Sequence, residues 1–317
     1  MTGRTVLVLT RQPDHTADLV VRELNDREIP LVRCDLAEFP TRLSLSATMS
    51  PTGGVWEGRL RTEHRELPLS EIGAVYYRRP THFEFEHMSD VERQWATAEA
   101  RAGFGGVLAA LRCRWVNHPH RNAAVSLKPV QLGAAAEAGL RIPRTLIMND
   151  PQHARHFAQA VGTVAYKALQ GSPLVGGKSL YTTIIRSPTA IGDSVRHTAH
   201  LFQEFIPKQF EVRLTVVGRQ MFAARIDAHS NAAKADFRAD YDNLTYQPIE
   251  LPEHVAEGIR LLMHRFGLLY AAHDFLVTED GQWVYLETNP NGQWGWIEVH
   301  TGLPIAAALA SLLGGAT

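Results

Sequence analysis

The sequence predicts an α/β N-terminal part followed by mixed α+β sheets. The chain opens with a β-branched run at 5–10, a helix-like stretch at 17–28 and a second apolar run at 30–34, which is the order of a βαβ unit. Strand-like runs dominate between 163 and 228, and a helical pattern returns only at 253–267. The two parts are therefore expected to contain different kinds of sheet.

The N-terminal part contains further strands and one long helix. Two alternating runs on either side of the turn SPTGG (50–54) predict a hairpin, and GAVYYRR (73–79) predicts another strand. Ser89 is a suitable N-cap for a helix over 89–112. The pattern of predicted helices and strands changes after RWVNHP (114–119). We therefore divide the chain into three units, 1–117, 118–202 and 203–317.

The second and third units contain helices and strands in alternation. Helices are predicted at 126–140, 149–162, 253–267 and 302–313. Gly139 is expected to end the first of them, and Pro151 lies in the first turn of the second. The last two strands, 269–277 and 282–289, surround the turn TEDG.

Composition excludes several classes of protein. The formal net charge of −1 over 317 residues gives no basic field of the kind that holds nucleic acid or an anionic membrane. No window reaches about 18 apolar residues, and the N-terminus lacks a long apolar signal region. Cys34 and Cys113 are too few for a disulfide framework. We therefore expect a cytoplasmic protein without nucleic-acid or membrane partners.

The segment QGSPLVGGKS (170–179) looks like a damaged Walker loop. Gly177 and Lys178 fit that motif, but Ser172 stands where its first glycine belongs. A Walker loop opens a helix, whereas β-favouring residues stand on both sides of this segment. We therefore expect a hairpin tip, at which Gly176 and Gly177 let backbone N–H groups turn onto an anion. A turn without a ligand is the alternative for the loop on its own.

Two carboxylates and an amide are predicted to meet on the last two strands. Glu287 and Asn289 are two residues apart and share one strand face, and Asp274 lies across the predicted hairpin. Oxygen ligands without histidine or cysteine suit Mg²⁺. We therefore predict a Mg²⁺ site at Asp274, Glu287 and Asn289, although acidic strand residues are more often simply solvated.

The histidines do not predict a second metal site. His118 lies close to His120 and His153 close to His156, and neither of these pairs has a third partner in its neighbourhood. Structural or surface roles are favoured for both, and no zinc is predicted.

The positions of three further features predict where their side chains lie. Strand alternation points His273 to the face opposite the carboxylates. Trp294 and Trp296 are expected on one side of their segment, where core packing is favoured over contact with a peptide. Arg78 and Arg79 end an N-terminal strand, where they either face the cleft or form a surface salt bridge.

Residues 115–313 resemble the ATP-grasp superfamily of carboxylate ligases. The resemblance rests on Lys128 in a helix, Lys167 on the strand before the glycine loop, QEFI at 203–206, and the Asp and Glu-x-Asn set. It implies an ATP-grasp fold with an N-terminal α/β pre-ATP-grasp domain. A central subdomain would carry the glycine-rich loop, and a C-terminal subdomain would carry the metal site.

The resemblance also implies roles for residues, with ATP and Mg²⁺ as cofactors. Lys128 and Lys167 would contact nucleotide phosphates, and the loop with Gly176 and Gly177 would close over them. Glu211 would contact the ribose. The adenine would be lined by Gln203, Glu204, Phe205 and Ile206.

A second segment, ADFRAD (235–240), resembles the Asp-Phe-Arg segment of ligases that modify proteins or peptides. There Arg238 would face the transferred phosphoryl group. Asp236 would either accept the nucleophile's proton or merely orient Arg238. Arg225 would add positive charge at the phosphates, and Arg213, two residues after Glu211, would also look into the site.

Longer runs are similar to the maturases of graspetides, the microviridin-like crosslinked peptides. They include YYRRP (76–80) and LETNPNGQWGWIE (286–298), and the similarity extends over nearly the whole chain. It implies ATP-dependent ester or amide formation, through an acyl phosphate, between an Asp or Glu side chain and a Thr, Ser or Lys side chain. The partner would be a precursor peptide with a leader and an acidic, Thr-rich core. Homodimers are common in that family.

Two alternatives remain beside the peptide maturase. One is a ligase that adds a free amino acid to a protein or small-molecule carboxylate. The other is an ATP-binding scaffold without turnover, against which the intact carboxylate–amide set and both lysines argue.

Overall fold

The structure, a computed structural model, describes residues 4–170, 182–230 and 240–315. Three predicted site features lie outside these ranges. They are the glycine loop with Gly176 and Gly177, and the residues Asp236 and Arg238. Within the described ranges, every helix is too short or too polar to cross a membrane.

A four-stranded parallel sheet forms the centre of the N-terminal part. Its strands, in spatial order, are β2 (Leu31–Cys34), β1 (Thr5–Thr10), β6 (Ile72–Arg78) and β7 (Arg114–Val116). Helix α1 (His15–Asp26) connects β1 to β2 and begins at Asp14, whose carboxylate accepts two backbone N–H groups. The predicted α/β opening is confirmed.

The predicted hairpin of the N-terminal part is also confirmed, as part of a separate antiparallel sheet. That sheet consists of β3 (Leu43–Met49), β4 (Trp56–Thr62) and β5 (Glu66–Pro68). Its buried leucines pack under the parallel sheet in one hydrophobic core.

The predicted helix over 89–112 is interrupted. It consists of α2 (Asp90–Ala100), a π-helical turn at Arg101–Gly105 and α3 (Gly106–Ala109). Ser89 caps it as predicted, in a capping box with Glu92. The irregular turn coincides with the glycines, which are weak helix formers.

The central part is an antiparallel sheet with a helix on one face. In spatial order its strands are β10 (Thr183–Ile185), β9 (Val164–Lys167), β11 (His200–Glu204) and β8 (Thr145–Met148). Helix α6 (Pro151–Val161) begins at Asp150, as predicted. Because β9 and β10 pair antiparallel, the strands that flank the glycine loop form the predicted hairpin.

A five-stranded antiparallel sheet forms the C-terminal part. Its spatial order is β14 (Leu244–Pro248), β13 (Gln220–Ala228), β12 (Phe210–Val217), β15 (Tyr270–Val277) and β16 (Trp283–Asn289). One face packs against three helices, α4 (Pro119–Val125), α5 (Lys128–Glu137) and α7 (Glu253–Phe266). Leu132 and Ala135 of α5 lie in the same core as Leu214 and Phe275 of this sheet.

The last helices pack against the N-terminal part. They are α8 (Gly295–Thr301) and α9 (Ile305–Leu313), and they share a core with α1, β1 and β6. The predicted helix over 302–313 therefore begins three residues late. Gly302, at φ +69°, ends α8 in the left-handed conformation and separates the two helices.

Asn117 ties the N-terminal sheet to the C-terminal sheet. It directly follows β7, and only 1% of its surface is exposed. Its side-chain oxygen accepts the N–H groups of Leu269 (2.9 Å) and Tyr270 (3.0 Å), and its amide nitrogen donates to the carbonyls of Tyr270 (2.7 Å) and Pro290 (3.0 Å). These bonds fix the end of β7 to the start of β15 and to Pro290, which follows β16.

Candidate active site

A cavity of about 770 Å³ lies where the three parts meet. Its volume is within the range of small-molecule and cofactor sites. The N-terminal sheet contributes Arg79, and the central sheet contributes Lys167 and Gln203. The C-terminal part lines it with Lys128 of α5 and with the predicted metal residues Asp274, Glu287 and Asn289.

The predicted carboxylate–amide trio is assembled on one sheet face. Asp274 stands directly opposite Glu287, because a β-bulge after Asp274 shifts the register of β15 and β16. The Asn289 amide nitrogen lies 3.3 Å from a carboxylate oxygen of Asp274 and 3.3 Å from one of Glu287. The three side chains are therefore within reach of one small ion.

Each carboxylate of the trio also has a cationic partner. Arg213, opposite Asp274 on β12, donates to it at 2.5 Å, and Lys128 donates to Glu287. The side chains of Arg213 and Asp274 are only 8% and 5% exposed. Arg213 also donates to the Gln293 carbonyl at 2.9 Å, so its guanidinium is held on two sides.

The donor set of the trio fits Mg²⁺. It contains two carboxylates and an amide, and an amide rotated about its last bond presents its oxygen at the place of its nitrogen. Oxygen donors beside a cavity are the ligands that Mg²⁺ prefers when substrate phosphates complete its shell.

Gln131, one helical turn after Lys128, fixes the strand that carries the trio. Its amide donates to the carbonyl of Thr288 (2.9 Å) and to that of Val125 (2.6 Å), and its oxygen accepts the N–H of Thr288 (2.9 Å). Thr288 lies between Glu287 and Asn289, so Gln131 holds both by their shared backbone. Sequence reasoning missed this residue.

His273 lies on the opposite face of the sheet, as alternation predicts. It is fully buried, and its Nδ1 lies 2.9 Å from the Thr288 hydroxyl, which also contacts the Tyr285 hydroxyl at 2.6 Å. Burial, with a smaller effect of the positive Arg213, lowers the pKa of His273 to about 3. The imidazole is therefore neutral, and its hydrogen bond to the Thr288 hydroxyl adds no charge to this face of the sheet.

Replacing Gln131 with methionine is expected to reduce kcat about 10- to 100-fold. The isosteric side chain leaves both backbone groups of Thr288 without their partner, which loosens Glu287 and Asn289. The Mg²⁺ concentration for half-maximal rate should rise at least about fivefold, because the ligands are less well positioned. Gln159→Met, on the exposed face of α6, is the control. An unchanged Mg²⁺ dependence would contradict a positioning role.

The predicted adenine segment is only partly at the cavity. Gln203 lines the cavity and donates to the Thr145 hydroxyl at 3.0 Å. Glu204 and Phe205 do not line it; their N–H groups bond to the carbonyls of Arg144 and Thr163. Ile206 packs in a small cluster with Leu276, Val284 and Leu286, and Leu286 lines the cavity.

Two other predicted site residues, Glu211 and Arg225, do not line the cavity. Glu211 is buried on the same face as Arg213 and forms an ion pair with Lys208. Arg225 stands opposite Val212, on the other face of the sheet. Its guanidinium donates a hydrogen bond to the Asp227 carboxylate at 2.7 Å and lies 4.0 Å from the Phe210 ring centroid. The hydrogen bond to Asp227 raises the pKa of Arg225. The structure does not bring Arg225 to the cavity.

The paired arginines and tryptophans divide between core and cavity. Arg78 is 1% exposed and donates to the Asn291 carbonyl at 2.6 Å, whereas Arg79 lines the cavity. Trp294 is fully buried in the core. Trp296 lines the cavity and packs against Tyr246, with ring centroids 4.9 Å apart. The two rings therefore do not share one environment.

A family model described as the MvdD pre-ATP grasp domain matches residues 5–123. The search of curated protein sequences found no match.

Solved structures resemble the chain over almost its full length. A RiPP-associated ATP-grasp ligase from Chryseobacterium gregarium, in complex with ADP and a leader and core peptide, is 26% identical. It aligns with a TM-score of 0.90, over 98% of this chain and 96% of its own. The macrocyclase MdnC from Microcystis aeruginosa, bound with the precursor peptide MdnA, is 28% identical, with a TM-score of 0.85 and coverages of 98% and 99%.

A third structure shares the fold at lower identity. The ATP-grasp ligase PsnB, complexed with a variant of its minimal precursor, Mg and ADP, is 22% identical with a TM-score of 0.78, and 98% of each chain is covered. The predicted ATP-grasp fold with an N-terminal pre-ATP-grasp domain is confirmed by these comparisons.

Proposed function

We propose that this chain, which belongs to the ATP-grasp ligases with an MvdD-type pre-ATP-grasp domain, crosslinks side chains of a ribosomally made precursor peptide. The ligase activity depends on ATP, as in that family. The proposal is carried by the whole-chain similarity to two relatives with bound peptides, one of them a macrocyclase. The assembled trio of Asp274, Glu287 and Asn289 supports it, since a scaffold without turnover has no need of that set.

The reaction requires activation of a carboxylate. A carboxylate and an alcohol do not condense in water, because oxide is a poor leaving group. Transfer of the γ-phosphoryl group of ATP to an Asp or Glu side chain of the peptide gives an acyl phosphate and ADP. Attack by a Thr or Ser hydroxyl, or by a Lys amine, then forms the ester or amide and releases phosphate, while the nucleophile loses its proton to a base.

The residues of the cavity have the charges that these steps need. Asp274, Glu287 and Asn289 would hold Mg²⁺, which supplies charge neutralisation at the phosphates when bound. Lys128 and Lys167 would contact the same phosphates from α5 and β9. Arg213 holds Asp274 in place through their ion pair, and Gln131 holds Glu287 and Asn289 in place. Phosphoryl transfer needs mainly such positioning and charge.

Several proposed roles rest on the resemblance alone. Arg238 is proposed to face the phosphoryl group, and Asp236 to receive the nucleophile's proton or to orient Arg238. The loop with Gly176 and Gly177 is proposed to cover the acyl phosphate and keep water away from it. Gln203 is proposed to border the adenine, with Ile206 packed behind Leu286 of the lining, and Glu211 is proposed to contact the ribose.

The test uses a peptide encoded next to the gene of this chain, with a leader and a core that contains Thr and Asp or Glu. Incubation with the protein, ATP and Mg²⁺ is expected to lower the peptide mass by one water for each crosslink. Fragmentation should show no cleavage inside the rings. An increase in mass on addition of free amino acids would instead support amino-acid ligation. An unchanged mass with every such peptide would overturn the proposal.

A further inference from the structure

Three arginines lie at the carboxyl ends of two neighbouring strands of the N-terminal parallel sheet. Arg11 directly follows β1, Arg78 ends β6, and Arg79 follows it; β1 and β6 are neighbours, with Thr10 opposite Arg78. From β1 the chain proceeds to β2 on one side, whereas β6 lies on the other. The carboxyl ends of β1 and β6 therefore border the switch point, where open parallel sheets bind ligands.

Arg78 and Arg79 differ in how their positive charges are compensated. Arg78 is buried, and its guanidinium lies 3.8 Å from the Asp14 carboxylate and donates to Asn291 and Gln293. Arg79 has no hydrogen bond or ion pair with any residue in the described ranges, although it lines the cavity and is accessible to solvent. Of the described lining residues, Arg79 alone comes from the N-terminal sheet.

The surroundings of Arg79 favour an anion. Loss of hydration at the cavity, and the positive charges of Arg78 and Arg11, lower its pKa, while Asp14 opposes them. An arginine keeps its proton under such a shift, so the site carries positive charge that protein groups do not fully balance. A bound anion would remove this imbalance.

The backbone of Arg79 is also unusual. Its φ is +49°, and only one other described residue besides glycines, Glu28, has a positive φ. The left-handed conformation costs an L-residue about 1–2 kcal/mol. Strain of this kind persists where the surroundings demand it, often at ligand sites. The turn places Arg79 at the cavity while the preceding Arg78 stays in the protein interior.

We infer that Arg79 forms a subsite that binds a side-chain carboxylate of the acidic peptide core. The inference rests on the proposed function for the identity of the substrate. A guanidinium fork matches a carboxylate and binds it through two hydrogen bonds. The residues proposed for the nucleotide and Mg²⁺ come from the central and C-terminal parts. The subsite would therefore hold the acidic side chain at the cavity from the N-terminal part of the chain.

The test measures binding and needs no turnover. Calorimetry in low salt compares a synthetic Thr- and Glu-containing core peptide with the same peptide in which every Glu is Gln. Wild-type protein is expected to prefer the Glu peptide by about tenfold or more, the effect of one charge-assisted pair. Arg79→Gln should remove most of that preference, and Arg79→Lys should retain part of it.

The control is Arg219→Gln, an equal loss of charge in the exposed turn between β12 and β13. This variant is expected to keep the preference. Arg79→Gly tests the fold, because glycine tolerates the positive φ: it should lose the preference without lowering Tm. A Glu-peptide preference that survives in Arg79→Gln would overturn the inference.

A second measurement separates the two anions that an arginine here could bind. The affinity for ADP with Mg²⁺ should change less than about twofold in Arg79→Gln, which is within the ordinary effect of a surface change. A large loss of ADP affinity would assign Arg79 to the nucleotide and overturn the inference. A protein that binds the Glu peptide through Arg79 but never crosslinks any peptide would leave the subsite standing and defeat the proposed function.

Discussion

Replacing Glu287 with glutamine is expected to lower ATP-dependent ligation by about a thousandfold or more, with the fold unchanged. The substitution keeps the shape of the side chain but removes one of the two negative charges in the trio. It also takes from Lys128 the carboxylate that it contacts. Mg²⁺ affinity and phosphate positioning would be lost together, because both depend on this side chain.

The measurement is ADP release with peptide present, over a range of Mg²⁺ concentrations, with Tm recorded for each protein. Binding of Mn²⁺, followed by its electron paramagnetic resonance, gives a readout that does not depend on turnover. The matched control is Glu279→Gln, which removes the same charge from the exposed turn between β15 and β16. Wild-type ligation or wild-type Mn²⁺ binding in Glu287→Gln would refute the metal assignment.

Local sequence rules predicted the trio, but not its final geometry. Alternation and the short turn after β15 bring Asp274 close to Glu287 and Asn289. Without the bulge, the pairing of Phe275 with Tyr285 would place Asp274 opposite Leu286. A bulge leaves no clear signal in these residues, so the direct pairing of the two carboxylates could only be seen in the structure.

For Arg225 the sequence did contain a usable signal. Val217 pairs with Gln220 across a two-residue turn, Gly218 with Arg219, and glycine in such a turn is a hairpin marker. Counting back from that turn places Arg213 opposite Ala224, and therefore turns Arg225 to the other face. The charge of Arg225 alone suggests a place at the phosphates, whereas the register of the hairpin places it on the other face.

Gln131 and Arg79 could not have been found in this way. Gln131 acts on Thr288, which is 157 residues away along the chain, and its role depends on how α5 packs against β16. The left-handed conformation of Arg79 depends on tertiary contacts that override its local preference. The roles of both residues depend on contacts between elements that are distant in the sequence. A pattern within one segment does not predict such contacts.

Replacing Arg213 with methionine is expected to lower the free energy of unfolding by about 3–5 kcal/mol, because the buried Asp274 carboxyl group would lose the guanidinium that pairs with it. The double variant Arg213→Met/Asp274→Leu removes both charges and should recover most of that loss. The reason is that a buried ion pair differs little in stability from apolar residues of similar volume, whereas a single buried charge is costly.

Urea unfolding without nucleotide or divalent metal measures four proteins: wild type, Arg213→Met, Asp274→Leu and the double variant. The resulting cycle gives the coupling between the two side chains. Arg155→Met breaks a more exposed ion pair, with Asp193, and should cost less than about 1 kcal/mol. Losses that simply add in the double variant would show that the pair is not coupled. Because the double variant is expected to fold without ligating, recovered stability with lost activity would show that this ion pair serves the site and is not needed for the fold.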